Sequence, residues 1–341
     1  MKVLVTIQHP AHVHFFRNAI SELLDSGHEV KVCCRNKDIA VELLDAYDIE
    51  YEILAGDSST FSELVKTQAV YESKLLARAI KFKPDVMTAI SEPAVTHVSR
   101  LINSKSVIFV DTEHATLQNR LAFPFAHRIC TPECYYDTIG SKQVSYPGYH
   151  ELSYLHPNRF EPDPQIVREA GVDPHEKYAI VRSVAWKAAH DVGQKGFNSV
   201  ADVVGSLEET GASVVVSAEG DLPDVLEARC LEVPPEKMHH VMAFADVFIG
   251  ESSTMAAESA VLGTPAIYVN SLRLGYIDEL ESKYGLVHHM TGENAQQNAI
   301  SRAVQILESD LGIEEQRAEL LAEKTDTTSI ILEQIGSMDE Q

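Results

Sequence analysis

Short apolar runs alternate with helix-length segments of mixed polarity along this chain. The runs at 2–7 and 29–34 enclose a segment of helical spacing at 13–26, which Gly27 ends. The same order returns, with strands expected at 85–90, 106–110 and 127–130 and helices at 93–102 and 115–122. Strand–helix alternation is typical of a parallel sheet with helices on both faces. The amino-terminal half is therefore predicted to be a doubly wound α/β domain.

Four prolines between 157 and 174 interrupt this alternation, and 156–176 is predicted to be a linker. The alternation then resumes, with strands expected at 178–182, 212–217, 246–250 and 265–269, and helices at 196–209, 235–245, 252–262, 293–307 and 314–335. The predicted organisation is an amino-terminal domain at 1–155, the linker, a second α/β domain at 177–320 and a carboxyl-terminal helix within 321–341. Two α/β halves joined in this way are expected to enclose a ligand-binding cleft.

Composition excludes several classes of partner. The 341 residues include 28 Lys and Arg against 51 Asp and Glu, a formal net charge of −23. Such a surface repels nucleic acid and anionic lipid, so neither is expected as a partner. Acidic excess with few lysines suits the cytosol of a salt-accumulating halophile. No apolar run reaches the roughly 18 residues of a membrane span.

The cysteines and histidines indicate the redox compartment of the protein and whether it binds a metal. The five cysteines form no CxxC pair, which indicates reduced thiols and a cytoplasmic location. The fifteen histidines show no metal-ligand spacing, so neither a metal nor a cofactor is expected.

The stretch at 244–269, FADVFIGESSTMAAESAVLGTPAIYV, predicts a strand, a helix and a second strand. Ser252, Ser253 and Thr254 stand where the helix begins, and such a helix start leaves amide groups unpaired and carries partial positive charge. It therefore suits a phosphate or diphosphate. Glu258 lies one turn later on the same face, where a ribose diol would satisfy its carboxylate. The alternative for Glu258 is solvation or pairing with a basic side chain.

The segment at 238–267 resembles the nucleotide-sugar signature of GT-B glycosyltransferases. It is similar to that of the peptidoglycan N-acetylglucosaminyltransferase and of the UDP-N-acetylglucosamine 2-epimerases. In those families the small-residue turn holds the diphosphate, and the Glu that matches Glu258 holds the ribose. They carry Gly or Ser where this chain has Glu251. A carboxylate beside a diphosphate is unfavourable, so we expect Glu251 to point away from the ligand.

The full chain resembles a family of predicted glycosyltransferases that is common in archaea. This resemblance implies a GT-B-like α/β fold, with two doubly wound Rossmann-type domains, an interdomain cleft and a last helix that crosses back to the first domain. It also implies a nucleotide-diphosphate sugar, most simply a UDP-sugar, as donor.

Two turns after strands of the first domain offer a catalytic base. His12 and His14 follow the first strand, and His12–Val13 matches a His-Val step of the peptidoglycan transferase. His12 is predicted to be the base and His14 to contact substrate. Glu113, after the strand at 106–110, resembles a carboxylate of the 2-epimerases and is the second catalytic candidate. Capping of the following helix is the alternative for both turns. Packing in the wall between the domains is a further alternative for the histidines.

The loop after the first strand of the second domain offers three further substrate contacts. Arg182 carries a fork suited to phosphate, and Trp186 offers a flat face to a base or sugar. His190 resembles a loop histidine of the 2-epimerases, but the Arg and Glu-Asn that accompany it there are missing. Transfer is therefore favoured over epimerisation.

The predicted activity is metal-independent transfer of a sugar to an acceptor, a glycan or a lipid-linked molecule. The alternatives are a nucleotide-sugar 2-epimerase or hydrolase, and a non-catalytic nucleotide-sugar-binding protein. The sugar, the nucleotide base, the acceptor and the oligomeric state are left open by the sequence.

Overall fold

The computed structural model describes residues 1–56, 61–183, 197–218, 223–309 and 312–338. The chain divides into two compact units. The first comprises Met1–Arg159 together with Lys324–Gln341, and the second comprises Phe160–Glu323. Within the described ranges, no helix combines the length and the apolar character needed to cross a membrane.

The first unit contains a seven-stranded parallel sheet among its described residues. Its strands are β1 Lys2–Ile7, β2 Glu29–Arg35, β3 Tyr51–Ala55, β4 Val86–Ile90, β5 Lys105–Phe109, β6 Arg128–Pro132 and β7 Gln143–Tyr146. Its first helices are α1 Pro10–Asp25, α2 Ala40–Ala46, α3 Phe61–Phe82, α4 Pro93–Ile102 and α5 Thr116–Ala122, and a 3-10 helix spans His150–Ser153. The spatial order is β3-β2-β1-β4-β5-β6-β7, so the winding direction reverses between β1 and β4. Ligands of such sheets bind at the carboxyl ends of the strands, at that reversal.

Alternating strand residues face opposite sides of this sheet, because successive side chains of a strand point in opposite directions. Val3, Val5 and Ile7 of β1 join the core under α1 and α2. Leu4 joins the core under α3 and α4. The sheet is thus covered on both faces, which explains why its strands read as continuous apolar runs.

The second unit contains a five-stranded parallel sheet among its described residues, in the order β12-β11-β10-β8-β9. Its strands are β8 Tyr178–Ser183, β9 Ser213–Ala218, β10 Val247–Gly250, β11 Ala266–Val269 and β12 Val287–Met290. Its helices are α6 Pro164–Glu169, α7 Val200–Glu208, α8 Met238–Ala243, α9 Ser253–Leu262, α10 Gly275–Ser282, α11 Ala295–Glu308 and α12 Glu314–Glu323. The winding direction reverses between β8 and β10, so α9 begins beside the reversal.

The sequence predicts one continuous helix at 314–335 in the carboxyl-terminal segment, and this prediction is wrong. The segment forms two helices, α12 and α13 Thr327–Gly336, and the break lies at 324–326. Asp326 causes the new start, because its Oδ1 accepts the amide hydrogen of Thr328 at 2.9 Å as an N-cap. Helix α13 belongs to the first unit, where Ile331 and Ile335 pack into the core shared with α1.

Candidate active site

His12 stands in the first turn of α1, directly beyond β1. His9 caps this helix by accepting the amide hydrogen of Ala11 at 3.2 Å, and Pro10 suits its first position. The Nδ1 atom of half-buried His12 lies 3.5 Å from the amide N of Gln8, which can only donate. Burial, His9 and His150 hold the pKa of His12 well below its usual value, against the opposing charge of Asp111. The ring is therefore neutral near pH 7, with its hydrogen on Nε2.

His14 points away from His12, because two residues turn a helix through about 200°. Its ring is buried against Tyr154, with ring centroids 5.2 Å apart, and its Nδ1 lies 3.3 Å from the hydroxyl of Tyr47. The structure therefore places His14 among the packed side chains around α1, apart from the ring of His12.

Asp111 and His150 form a close pair at the same edge of the sheet. Asp111 follows β5 and His150 follows β7, and the Nδ1 of His150 lies 3.0 Å from the Oδ2 of Asp111. Burial alone would raise the pKa of Asp111, but the His150 ring overrides this effect and lowers it to about 2. Thr112 also donates its hydroxyl to Oδ1 at 2.8 Å. Asp111 is therefore ionised, and the neighbouring Nδ1 must carry a hydrogen.

Glu113 lies two residues beyond Asp111 and is held separately. Its Oε1 accepts the amide hydrogen of Tyr136 at 3.3 Å, and the side chain is half-buried. It is a carboxylate near the edge of the sheet, but it is not part of the pair formed by Asp111 and His150.

Glu92 provides a second buried carboxyl group at the reversal of the first sheet. It follows β4, is 3% exposed and accepts a short hydrogen bond from the hydroxyl of Thr6. Burial raises its pKa to about 7, although Thr6, Gln8, Tyr71 and the charge of Arg35 act in the opposite direction. The preceding Ser91 has a left-handed backbone with φ of 44°, which is uncommon for a side chain of this type. Glu92 can therefore exchange a proton near neutral pH.

In the second unit, α9 begins at the carboxyl end of β10. Ser252 caps it, because its hydroxyl accepts the amide hydrogen of Met255 at 3.3 Å. Helix geometry leaves the amides of Ser253 and Thr254 without an intrahelical acceptor. Ser252, Ser253 and Thr254 are partly exposed, whereas the helix from Ala256 onward is buried. The accessible end of α9 is thus the amide-rich one.

Glu258 lies one turn inside α9 and is only 5% exposed. Its Oε1 lies 2.9 Å from the Nε2 of His239, a buried residue of α8. The basic partner considered as an alternative in the sequence is therefore present. A hydrogen bond from His239 to one carboxylate oxygen also fixes the orientation of the carboxylate on this helix.

Glu251 is turned toward strand β8 and the start of the described segment at 197–218. Its Oε1 accepts the amide hydrogen of Phe197 at 2.7 Å, and its Oε2 lies 3.4 Å from the hydroxyl of Ser183. Asn270 donates to its backbone carbonyl at 3.2 Å. The carboxylate is buried and bonded in this way, so its charge is partly compensated by donors other than the amides of α9.

Of the three remaining predicted contacts of the second domain, Arg182 lies within the described residues. Arg182 lies on β8 and donates to the hydroxyl of Ser217 on β9 at 2.7 Å, so its side chain reaches toward the outer strand. Trp186 and His190 lie outside the described residues. Among the described residues, no group of three His, Cys, Asp or Glu side chains is arranged to hold a metal ion.

Asp111, Glu92, His150 and His239 were not chosen as site residues from sequence. The first three follow strands β5, β4 and β7, and polar residues at strand ends are the signal that could have found them. His150 was overlooked because the strand–helix alternation stops near Pro147, shortly before the proline-rich segment that predicts a linker. His239 sits on a helix of ordinary amphipathic spacing and gives no comparable signal.

Comparisons with known proteins agree with this architecture. The family model described as "Protein of unknown function (DUF354)" matches residues 1–340. A relative, "Uncharacterized protein MJ0665" of Methanocaldococcus jannaschii, is 21% identical over 325 residues, which are 92% of each chain.

Among solved structures, the UDP-GlcNAc 2-epimerase of Neisseria meningitidis bound to UDP-GlcNAc superposes with a TM-score of 0.72 at 13% identity, over 99% of this chain and 100% of that one. The spinosyn rhamnosyltransferase SpnG, complexed with spinosyn aglycone, gives 0.64 at 15% identity, over 97% and 99%. At such identities the likeness establishes the fold alone, and it confirms the predicted GT-B-like α/β class.

Proposed function

Given that the chain belongs to the DUF354 family, we propose that it binds a nucleotide-diphosphate sugar on its second unit and transfers the sugar to an acceptor. The observation that carries this proposal is helix α9, which combines a partly exposed, amide-rich start with a buried, oriented carboxylate at Glu258. The start of α9 suits a diphosphate, and the carboxylate suits a ribose diol.

The ligand chemistry follows from the positions on this helix. The amides of Ser253 and Thr254 would donate to diphosphate oxygens, while the Ser252 hydroxyl keeps the helix capped. Glu258 would accept a hydrogen bond from the ribose, since each oxygen of a carboxylate has two lone pairs. Arg182 would approach the diphosphate from β8 after release from Ser217, and Trp186 and His190 remain proposed sugar or base contacts. The structure of the Neisseria epimerase holds UDP-GlcNAc, which makes a UDP-sugar the first donor to test.

The first unit would supply the base and bind the acceptor, a glycan or a lipid-linked molecule. His12 and Glu113 are the sequence-predicted bases, and His14 is a predicted acceptor contact. Each remains a proposal that substitution tests directly. A base that accepts the hydroxyl proton of the acceptor adds about 10²–10⁴-fold to such a rate.

Donor binding is tested by titration calorimetry with UDP and UDP-N-acetylglucosamine. The Glu258→Gln variant is expected to weaken UDP binding by about 1–3 kcal/mol, because it removes a charged acceptor of a ribose hydrogen bond. Glu208→Gln is the matched control, since Glu208 pairs with Arg229 on the surface of the same unit. Equal affinity of the two variants would remove the ribose assignment. Failure of the wild-type chain to bind any nucleotide or nucleotide sugar would remove the proposed function.

A nucleotide-sugar 2-epimerase or hydrolase is the second candidate, and Glu92 favours it. Epimerisation at C2 needs a group that exchanges protons near neutral pH, and the buried carboxyl of Glu92 has a pKa of about 7. The two activities separate without any acceptor. An epimerase or hydrolase would convert UDP-N-acetylglucosamine alone, with an altered or free sugar visible by NMR, whereas a transferase would require the acceptor for comparable turnover.

A further inference from the structure

Resting on the proposed sugar transfer, we propose that His150, oriented by Asp111, is the catalytic base that accepts the proton of the acceptor hydroxyl. Asp111 holds the Nδ1 side of the ring, which leaves Nε2 as the basic atom. His150 is absent from the sequence-based candidates. The inference specifies, for the proposed transfer, which atom of the protein receives the proton.

The fold fixes the position of His150 from several sides. Its 3-10 helix is held by the carboxyl-terminal helix α13, since Thr327 donates to the carbonyl of Tyr149 at 2.7 Å and Thr328 to that of Ser153 at 2.6 Å. Asn18 of α1 donates to the same Ser153 carbonyl at 2.8 Å. The His150 ring itself packs on Phe15, with ring centroids 4.4 Å apart. A side chain held in this way has little freedom to turn, which catalytic geometry requires.

The tautomer follows from the ionisation of Asp111. Its carboxylate lies 3.0 Å from Nδ1 and holds no proton at neutral pH, so Nδ1 must donate. In the neutral ring Nε2 then carries a lone pair. Nε2 is buried, and no described residue donates a hydrogen bond to it. A buried acceptor left in this state is destabilising, and the hydroxyl of a bound acceptor would offset that cost.

The rival bases are less suited to this step. The Nδ1 of His12 faces the amide of Gln8, so the neutral ring presents a hydrogen at Nε2 and acts as a donor. Its depressed pKa also makes it a weak proton acceptor. Glu113 already accepts the amide hydrogen of Tyr136 with its Oε1 at 3.3 Å. The neutral ring of His12 is therefore placed to donate a hydrogen bond from Nε2, while His150 is placed to accept one at Nε2.

In the proposed step, every proton and electron pair passes between the acceptor, His150 and the leaving diphosphate. The acceptor hydroxyl gives its proton to Nε2 of His150 as its oxygen forms a bond to the anomeric carbon of the sugar. The bond from that carbon to the diphosphate oxygen breaks, and the nucleoside diphosphate leaves with the electron pair. The imidazolium is stabilised by the charge of Asp111 until the proton passes to water.

The test uses UDP-N-acetylglucosamine as donor with two acceptors of similar shape, 4-methylphenol and 4-nitrophenol, and measures UDP release, with water alone as a parallel acceptor. The second phenol ionises near neutral pH and therefore needs no base. His150→Gln and Asp111→Asn are expected to lower turnover about 10²–10⁴-fold with 4-methylphenol and with water. Both should stay within about threefold of wild type with 4-nitrophenol.

His127→Gln is the control, because His127 bonds the amide of Ser106 at 3.0 Å at the opposite edge of the same sheet. Its turnover should match wild type with both phenols. UDP calorimetry on each variant should show the affinity of the wild type. A loss of turnover can then be assigned to the missing base and not to weaker donor binding.

Three results would overturn the assignment. The first is a His150→Gln variant that keeps wild-type turnover with 4-methylphenol. The second is an equal loss with both phenols, which would mark a purely structural role. The third is a wild-type chain that binds UDP-N-acetylglucosamine but releases no UDP with any acceptor. In the first two cases nucleotide-sugar transfer stands, whereas loss of donor binding by the wild type would instead remove the proposed function.

Discussion

At the scale of single residues, the molecule buries several ionisable groups and supplies most of them with partners. Asp111 pairs with His150, Glu258 with His239, and Glu251 with the amide of Phe197. An unpaired buried charge would be far more costly than any of these arrangements. Glu92 differs, because burial outweighs its hydrogen bonds and its proton is retained up to about pH 7.

Glu92 is therefore expected to make stability depend on pH. Its pKa is raised, so between about pH 4.5 and 7 the folded chain holds a proton that the unfolded chain has lost. The free energy of unfolding must fall as pH rises through that window, by an amount on the order of 3 kcal/mol. Urea unfolding of Glu92→Gln at pH 5 and pH 8 should show a smaller loss than wild type. The exposed Glu42→Gln serves as control, and an identical loss in all three chains would contradict the prediction.

At the scale of elements, the second sheet depends on a glycine where its winding reverses. A Cβ on Gly250 would lie 2.7 Å from the Cβ and 3.0 Å from the carbonyl oxygen of Arg182 on the adjacent strand β8. Real side chains do not approach this closely, so only glycine lets β10 lie flat against β8 here. The same position leads directly into Glu251 and the start of α9.

Gly250→Ala is expected to destabilise the second unit by about 1–3 kcal/mol, the range for an overpacked interior. UDP affinity should also fall, because the displaced strand carries α9. Gly205→Ala is the matched control, since a Cβ there meets nothing within 4 Å and lies on helix α7. That variant should instead gain up to about 1 kcal/mol from helix propensity. Thermal unfolding and UDP calorimetry on both variants would reveal the opposite sign of the two effects, and a Gly250→Ala chain as stable as wild type would be inconsistent with the close approach.

At the scale of the whole molecule, charge opposes the proposed ligand. The formal net charge is −23, and a nucleotide-diphosphate sugar is itself an anion. Local donors at the start of α9 favour binding once the ligand is close, but they act over a few ångströms only. The net charge acts over the Debye length, about 10 Å in 0.1 M salt and 3 Å in 1 M salt.

The association rate of UDP is therefore expected to rise between 0.1 M and 1 M NaCl, by a factor on the order of ten, because salt screens the long-range repulsion. Stopped-flow measurement with uridine as an uncharged comparison isolates this effect, since uridine should show little change. A UDP rate that falls with salt would mean that local cations such as Arg182 dominate the approach instead.

Local pattern determined much of the architecture. The apolar runs predicted β1, β4 and α4, and the start of α9 at Ser252 followed from hydroxyl residues between a strand and an alanine-rich helix. These features depend on neighbouring residues, for which periodicity and capping are sufficient. The α/β class is therefore readable from the chain itself, whereas the GT-B-like fold was implied by the resemblance of the chain to known families. The prediction missed α2, β3 and α3 between positions 36 and 84, and it also missed β7, α10 and β12.

Only the tertiary structure decided which distant residues meet. Asp111 and His150 are 39 positions apart along the chain and are brought to one edge by the order of strands β5, β6 and β7. Glu258 meets His239 because α8 packs beside α9. Helix α13 begins at the Asp326 cap and belongs to the first unit. Such pairings depend on sheet order and helix packing, which are set by the balance of the whole core. A local pattern carries no information on that balance, so the pairing of His150 with Asp111 could be recognised only after the fold had placed both residues.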